Sequence, residues 1–349
     1  MLNNVAAHYD VEDLRIQVPE SAKKGLKVMF LAKHALGDGV PDVDDGVHAV
    51  YHHELRETLR GIGLNLSVGN SYQHLFGEPD YDFLFTLLNR GGFKNSEIFA
   101  ATFATWRDTA FLGASPILRG LGDDKHLTKL VARARGVSTP DSEIYRHGNF
   151  MNHEPEFEWN KLVVKPNASS ASWGIKICDS WEEARQHRDW LFEENNHHDV
   201  IIESFFDGIE LAVPVVVGAD GKPVLLPVMK YGGDNDRLRT YEEKRGFIQS
   251  NDGWAPFSDH KVCTQLLGEV KKMMPELWPF DYGRFEFKYS PESGESAFLE
   301  LNMSCNLWSK KTVSQSWQSL GYTHEELIET ILAGSMIRQG VIPPQAANK

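Results

Sequence analysis

The sequence predicts an open α/β lobe followed by α+β structure. Two observations carry this. Apolar strand-like runs alternate with helical spacing through the first third of the chain. From Leu162 onward, short strand-like runs are separated by turns, with one clear helix among them.

Residues 1–24 read as a polar leader. Leu26–Ala32 (LKVMFLA) is a short apolar run, as expected of a buried parallel strand. A loop rich in Gly and Asp follows, Gly37–Gly46. Val47, Val50, Leu55 and Leu59 then recur at helical spacing over Val47–Ile62. Leu64–Val68 and Tyr81–Leu88 read as strands, the second ending in the turn Asn89-Arg90-Gly91-Gly92. Ile98–Ala104 and Leu127–Arg135 read as helices. Ligands of such lobes bind beyond the carboxyl ends of the strands, which points to the loops after Ala32 and after Leu88. In the second part, Leu162–Lys165, Gly174–Cys178, Val200–Glu203, Leu211–Val217 and Val224–Met229 read as strands, and Trp181–Glu194 as a helix. Gly218-Ala219-Asp220-Gly221 is a hairpin signal. Pro343–Lys349 reads as a tail.

The bulk properties exclude several classes. At 41% hydrophobic and 24% charged residues, the chain falls in the range of ordinary globular proteins. A surface with net charge −13 repels duplex nucleic acid, although a few lysines and metal ions can invert the field inside one cleft. Cys178, Cys263 and Cys305 are odd in number and lack CxxC spacing, so neither a disulfide framework nor a zinc site is indicated. That fits a reducing cytoplasm. The first residues show no signal-peptide pattern, and no apolar run is long enough to span a bilayer, so a cytoplasmic protein is expected. The pairs His52-His53 and His197-His198 read as surface residues, because adjacent histidines on a helix point apart.

The most informative stretch is a pair of strands. Arg284-Phe-Glu-Phe-Lys288 and Phe298-Leu-Glu-Leu-Asn302 both alternate with period two, and a turn-rich connector joins them. Paired as a hairpin centred on Ser293, they set Glu286 opposite Glu300, Arg284 opposite Asn302, Phe285 opposite Leu301 and Phe287 opposite Leu299. Two carboxylates directly opposite repel one another unless a cation lies between them. Glu286, Glu300 and Asn302 supply hard oxygens that suit Mg²⁺, which commonly completes its shell with phosphate. Alternation alone is equally compatible with a solvated hairpin face.

Two further segments bear on the choice. Leu162–Lys165 is a strand that delivers Lys165 into the small-residue loop Asn167–Gly174, where backbone N–H groups can approach an anion. Glu203 ends another strand, with Ser204, Phe205 and Phe206 following it and Glu210 seven residues on. That spacing lets Glu203 and the backbone after it meet an adenine edge while Glu210 meets a ribose hydroxyl. Taken singly, each is also compatible with an ordinary loop and with exposed acids.

Together and in this order, these segments resemble the ATP-grasp superfamily, most closely its D-alanine–D-alanine ligase group, from about Leu26 to Leu332. The resemblance implies the ATP-grasp fold, an N-terminal open α/β lobe followed by two α+β lobes that grip ATP. The expected division is 25–124, 125–206 and 207–342. By the resemblance, Lys125 and Lys165 are nucleotide-binding lysines, and Glu203 and Glu210 are the adenine and ribose acids. Arg284 is the family's arginine, and Glu286, Glu300 and Asn302 are its metal ligands. Lys244 belongs to a mobile loop over the phosphates, within a lid expected over Met229–Gln249. Gly321-Tyr322-Thr323 with Leu327 and Ile328 looks like the closing helix. Cofactors are then ATP and two Mg²⁺ ions, with Mn²⁺ able to substitute. Small carboxylates and amines are the substrates, and a homodimer is suggested.

The departures concern the glycine-rich loop, the turn after the metal asparagine and both substrate pockets. The family's glycine-rich loop, Glu-Gly-Ser-Ser-x-Gly, survives only as Ser172 and Gly174. Ser-Pro-Gly after the metal asparagine is replaced by Ser304-Cys305-Asn306, where Asn306 can donate from its side chain. Asn89-Arg90 stand where the family has His-Gly, and Gly37-Asp38-Gly39 with Asp42–Asp45 replaces a Glu-rich loop. Lys310-Lys311 replaces a serine of the second amino-acid pocket, as carboxylate ligands or as solvent-facing lysines. The expected activity is carboxylate–amine ligation through an acyl phosphate, with ADP and phosphate released. An ATP-grasp enzyme with a thiol or bicarbonate acceptor, and a nucleotide-binding regulatory module on the same fold, are the alternatives.

Overall fold

A computed structural model describes residues 14–344 except 78–79, 89–90, 92, 149–152, 170–171, 195–197, 219 and 233–252. Asn89, Arg90, Lys244 and His197 lie outside the described residues, as does nearly all of the segment expected to be a lid.

The first sheet contains β1 (Lys27–Leu31), β2 (Asn65–Gly69), β3 (Phe83–Thr86) and β4 (Ala110–Phe111), in the order β2-β1-β3-β4 and parallel throughout. The buried run Phe83–Thr86 explains its place inside the sheet. Helix α1 (Glu20–Gly25) precedes β1, and α2 (His48–Gly61) connects β1 to β2. Next come α3 (Ser96–Trp106), α4 (Pro116–Asp123) and α5 (Lys125–Ala134). Asp124 caps α5 by accepting from Leu127 N.

The second sheet is antiparallel, with β5 (Ser142–Tyr145), β6 (Leu162–Pro166), β7 (Lys176–Cys178) and β8 (Val200–Ser204) in the order β5-β8-β6-β7. Helix α6 (Trp181–Glu194) packs on it through Ala184 and Leu191. The third sheet is built from β9 (Ile209–Val217), β10 (Pro223–Leu225), β11 (Met229–Tyr231), β12 (Trp254–Pro256), β13 (Tyr282–Tyr289) and β14 (Ser296–Asn302). Its order is β12-β11-β9-β13-β14, with β10 on β9. Helices α7 (His260–Leu277), α8 (Thr312–Gln318) and α9 (His324–Arg338), with a short 3-10 helix at Tyr72–Leu75, complete the described elements. Thr323 and Glu326 form a capping box at the start of α9. Gly334 of α9 lies so close to β9 that a Cβ there would stand 2.4 Å from Val217 Cγ1.

Four expectations need correction. Part of the leader is docked: Ile16 and Val18 are 2% exposed, and their N–H groups donate to Thr330 Oγ1 and Glu329 Oε1 of α9. The strand expected over Val224–Met229 is split into β10 and β11, with Pro227, which has no N–H to donate to a ladder, between them. Helix α7 was not among the expected elements. In the central hairpin, a bulge between Glu286 and Phe287 pairs Phe287 with Phe298 instead of Leu299.

One core joins the first sheet, α2 and α9 to Val216 and Tyr282 of the third sheet, so the two ends of the chain share an interior. Asp281, at 0% exposed, ties them further. It accepts from Arg338 Nε (2.8 Å), Ser335 Oγ (2.6 Å) and Gly113 N (2.7 Å). Burial raises its pKa, against the opposing pull of Arg338. Asp281→Ala strands a largely buried guanidinium and two further donors. A loss of about 3 kcal/mol is expected by urea unfolding, whereas a loss within 0.5 kcal/mol, roughly that of an ordinary surface change, would show that the network is dispensable.

Candidate active site

Strands β13 and β14 place Arg284 opposite Asn302 and Glu286 opposite Glu300. Alternation sends these four side chains to one face, while Phe285, Phe287, Phe298 and Leu301 enter the core behind it. Asn302 Nδ2 lies between the acids, donating to Glu286 Oε1 (3.1 Å) and Glu300 Oε1 (3.0 Å). Arg284 Nε donates to Glu286 Oε1 at 2.6 Å, and Lys125 Nζ lies 3.4 Å from Glu300 Oε2. Burial by itself would lower the Arg284 pKa, but Glu286, Cys305 and Glu300 together outweigh it and the guanidinium is held more firmly charged than usual.

The lysines arrive from two elements. Lys125 opens α5, and its Nζ also donates to Ser169 O (3.3 Å). Asn167 fastens the loop after β6 to this helix: its O and Oδ1 accept from Lys125 N (3.2 Å) and His126 N (2.9 Å). Lys165, on β6, stands 2.8 Å from Glu203 Oε2, and Lys129 lies 3.2 Å from Glu203 Oε1. Glu203 is 2% exposed and Lys129 0%. Burial alone would raise the Glu203 pKa, but the two lysines hold it below the usual carboxylate range. Burial pushes Lys129 down to about 8 against the pull of Glu203.

Lys125, Lys165, Glu203 and the four hairpin side chains line one cavity of about 740 Å³, a size suited to small molecules. Of the residues singled out from sequence, Lys125, Lys165, Ser172, Glu203, Ser204, Phe205, Phe206, Glu210, Arg284, Glu286, Glu300, Asn302, Ser304, Asn306 and Lys311 line it. Three do not. Gly174 has φ +71°, and a Cβ there would meet Leu191 Cδ2 at 2.6 Å, so its glycine serves packing on α6. Asp38 is exposed and accepts from Val40 N. Lys310 is exposed over the Trp308 ring.

Other roles change as well. The Glu203 carboxylate faces two lysines. Ser204 N and Phe205 N already donate to Asp141 O and Lys161 O, while Phe206 N has no partner among the described residues. Leu299, expected in the core, lines the cavity. His52, read as a surface residue, is buried on the cavity wall and accepts from His34 N through Nδ1 (3.2 Å). His198 also lines the cavity. Lys33, Asp45, His48 and Tyr51 join His52 in a wall that the sequence reading missed, with Asp45 held by Lys33 (2.9 Å) and His34 (2.8 Å). The signal was present: His48, Tyr51, His52 and Leu55 recur at helical spacing on one face of α2. Burial pushes the Cys305 thiol up to about 11 despite Arg284, which disfavours its thiolate.

Comparison with known proteins decides the family. Residues 135–333, more than half of the chain, match the family described as D-ala D-ala ligase C-terminus. The chain belongs to that family. Two relatives named D-alanine--D-alanine ligase are 26% identical over 228 residues (Aquifex aeolicus; 64% of this chain, 73% of the relative) and 25% identical over 253 residues (Fusobacterium nucleatum; 72% and 80%). A solved structure of D-alanine--D-alanine ligase from Bacillus anthracis, complexed with ATP, is similar over 91% of this chain and 99% of its own, with TM-score 0.68 and 18% identity. At that identity the likeness concerns the fold, and the fold is ATP-grasp. This D-Ala–D-Ala ligase family member is an ATP-grasp ligase, an ATP-dependent enzyme of amide-bond formation, and its family implies ATP and Mg²⁺. No cluster of three or more His, Cys, Asp or Glu able to hold a metal occurs among the described residues. Two carboxylates and an amide fit an ion that draws its other ligands from phosphate. No helix among the described residues is long and apolar enough to cross a membrane.

The wall histidine gives this family member an acid sensitivity. Burial, with help from His48 and His34, pushes His52 down to about 3 from 6.5. Below pH 6.5 the unfolded chain binds a proton that the folded chain refuses. Stability is therefore intact above that pH and falls with acidification, by up to about 1.4 kcal/mol per unit. His52→Gln should lose less stability than the wild type between about pH 6.5 and 4.5 in urea titrations. Equal slopes in the two proteins would count against a neutral buried imidazole.

Proposed function

We propose that the chain joins a small-molecule carboxylate to an amine through an acyl phosphate, with Glu286, Glu300 and Asn302 as metal ligands. The observation that carries this is their convergence in the cavity that also contains Lys125 and Lys165. Lys125 and Lys165 hold phosphate oxygens, and Glu203 with Lys129 beneath them keeps Lys165 in place. Phe206 N offers a donor to the adenine edge, and Glu210 an acceptor for a ribose hydroxyl. Magnesium, when bound by Glu286, Glu300 and Asn302, supplies positive charge against the phosphoryl oxygens. The substrate carboxylate takes the terminal phosphoryl group and ADP departs. The amine then attacks the acyl carbon and phosphate leaves. Arg284 stabilises the negative charge that develops on the acyl oxygen, with Ser304 and Asn306 beside it.

The product is an amide or peptide other than D-alanyl-D-alanine. A wall of Lys33, Asp45, His48 and His52, in a cavity that Lys311 also lines as a carboxylate ligand, supports this reading. The proposal includes lobes of 25–124, 125–206 and 207–342, two ions that Mn²⁺ can replace, and a homodimer without a nucleic-acid partner. It also includes a cytoplasmic setting, in keeping with three buried free thiols.

The test is a screen of amino acids and small carboxylates for ATP-dependent phosphate release, with products identified by mass. An amide product is expected. A thioester or carboxyphosphate product, or none, would overturn the reading. Glu300→Gln should then lower turnover by about 10²–10³-fold with an unchanged circular dichroism spectrum. Turnover equal to the wild type would remove Glu300 from the metal site.

A further inference from the structure

The segment after Asn302 carries Ser304 and Asn306 into the cavity, and its far end is held by another part of the chain. Leu307 N donates to Tyr51 Oη (3.1 Å), Trp308 Nε1 to Glu54 Oε2 (2.8 Å) and Ser309 N to Glu54 Oε1 (3.0 Å). Three consecutive residues thus find their acceptors on α2. Tyr51 and Glu54 are three positions apart, so their side chains leave the same face of that helix. Leu307 is 0% exposed and Trp308 is buried, so the Leu307 N–H in particular would be costly to leave unmet, while Ser309 is half-buried. Burial also keeps the Tyr51 phenol protonated, well above its ordinary value.

Inside the segment, local support is slight. Asn306 Oδ1 accepts from Trp308 N (2.7 Å), and no proline restricts the turn. On its other side, Leu307 O and Ser309 O accept from Ser314 Oγ (3.3 Å) and Gln315 Nε2 (2.7 Å) of α8. The segment is therefore suspended between α8 and α2. Glu54 does not line the cavity, whereas His48, Tyr51 and His52, on the neighbouring turns of the same helix, do. One helix thus forms part of the cavity wall and also fixes the segment that faces it.

We propose that Tyr51 and Glu54 are positioning residues for the ligation step. They hold residues 304–309 so that Ser304 and Asn306 meet the reacting acyl group at a fixed distance. This rests on the ligase reading above. The chemistry requires it because a displacement of about 1 Å at a reacting group can cost 10²-fold in rate. The proposed nucleotide-binding groups lie on other elements, α5, β6, β8 and the start of β9. The predicted signature is therefore a fall in kcat with little change in nucleotide affinity.

The full chain is compared as wild type, Glu54→Ala, Glu54→Gln and Tyr51→Phe. Three quantities are read: amide hydrogen exchange at Leu307 and Ser309, the Kd of Mg–ATP, and kcat with the amino-acid pair that gives the fastest phosphate release in the screen above. Glu54→Ala should speed exchange at Ser309 by about tenfold or more and lower kcat by about 10²-fold, with the Kd of Mg–ATP unchanged within a factor of about two. Glu54→Gln keeps one acceptor for two donors, so it should fall between Glu54→Ala and the wild type. Tyr51→Phe should open Leu307 and not Ser309. If Glu54→Ala does not fold, the other two variants carry the same comparison. Wild-type exchange at Ser309, wild-type kcat with faster exchange, or a parallel loss of Mg–ATP affinity would each overturn the proposal. A wild type that releases no phosphate with any substrate sinks the ligase reading separately, and the exchange data then decide the tether on their own.

Discussion

Two carboxylates on adjacent strands, in register and facing the same way, demand positive charge. Glu286 and Glu300 meet this demand with Arg284 on one, Lys125 on the other and the amide of Asn302 between them. Each of these partners comes from a different constraint. Arg284 is two residues from Glu286 and so on the same face of its strand. Lys125 is at the first turn of α5, positioned by the Asp124 cap. Asn302 is two residues past Glu300. The acids therefore organise the sheet, the helix and the loop after β6, since Lys125 also contacts Ser169. A divalent ion among the same oxygens would extend a balance of charge that the protein already maintains.

A second buried charge group sits below the first. Glu203 between Lys129 and Lys165 makes a row of three ionised side chains at almost no exposure. Such rows are poor sources of stability, because the desolvation of each ion offsets much of the attraction. Their value is geometric. A lysine whose ammonium is held at 2.8 Å by a buried carboxylate has little freedom to swing into solvent. Lys129, which reaches Thr139 Oγ1 as well as Glu203, anchors that carboxylate in turn. The lysine facing the cavity is thereby fixed before any anion arrives, which is the state that electrostatic catalysis requires.

How much of this was legible in the sequence follows from the range of each interaction. Strand alternation is local, so it revealed the register of Glu286 with Glu300 and of Arg284 with Asn302. It failed one residue later, where a bulge admits an extra residue and turns Leu299 from the core to the cavity. Two large apolar residues in succession, Phe298-Leu299, were the trace of that bulge. The parallel first sheet was visible as apolar runs. The docked leader was not, because Ile16 and Val18 lie in a largely polar stretch, and the side chains of α9 that accept from their N–H groups are more than 300 positions away. Charge patterns misled in the same manner. Asp38 and Asp45 are indistinguishable in an aspartate-rich loop, yet only Asp45 meets Lys33 and His34 and reaches the cavity. Glu203, at its strand end, lines the cavity, and nothing local announces Lys129, the second lysine on its carboxylate.

The turn after Asn302 shows why sequence departures need not mean a lost site. A proline and a glycine in such a turn act locally: one restricts φ, the other permits a close backbone approach. Cys305 and Asn306 can do neither, so the chain must obtain its rigidity elsewhere or leave N–H groups unmet in a buried place. Here the acceptors come from α2, through a tyrosine and a glutamate one helical turn apart. Moving the support from the backbone to a distant helix has a physical consequence. A local turn is rigid whatever the rest of the molecule does, whereas a segment hung between α8 and α2 keeps its shape only while both helices stay in place. The wall that carries His48 and His52 and the turn that carries Ser304 and Asn306 then become a single mechanical unit, and a change of side chain on α2 alters both the shape of the cavity and the placement of the groups across from it.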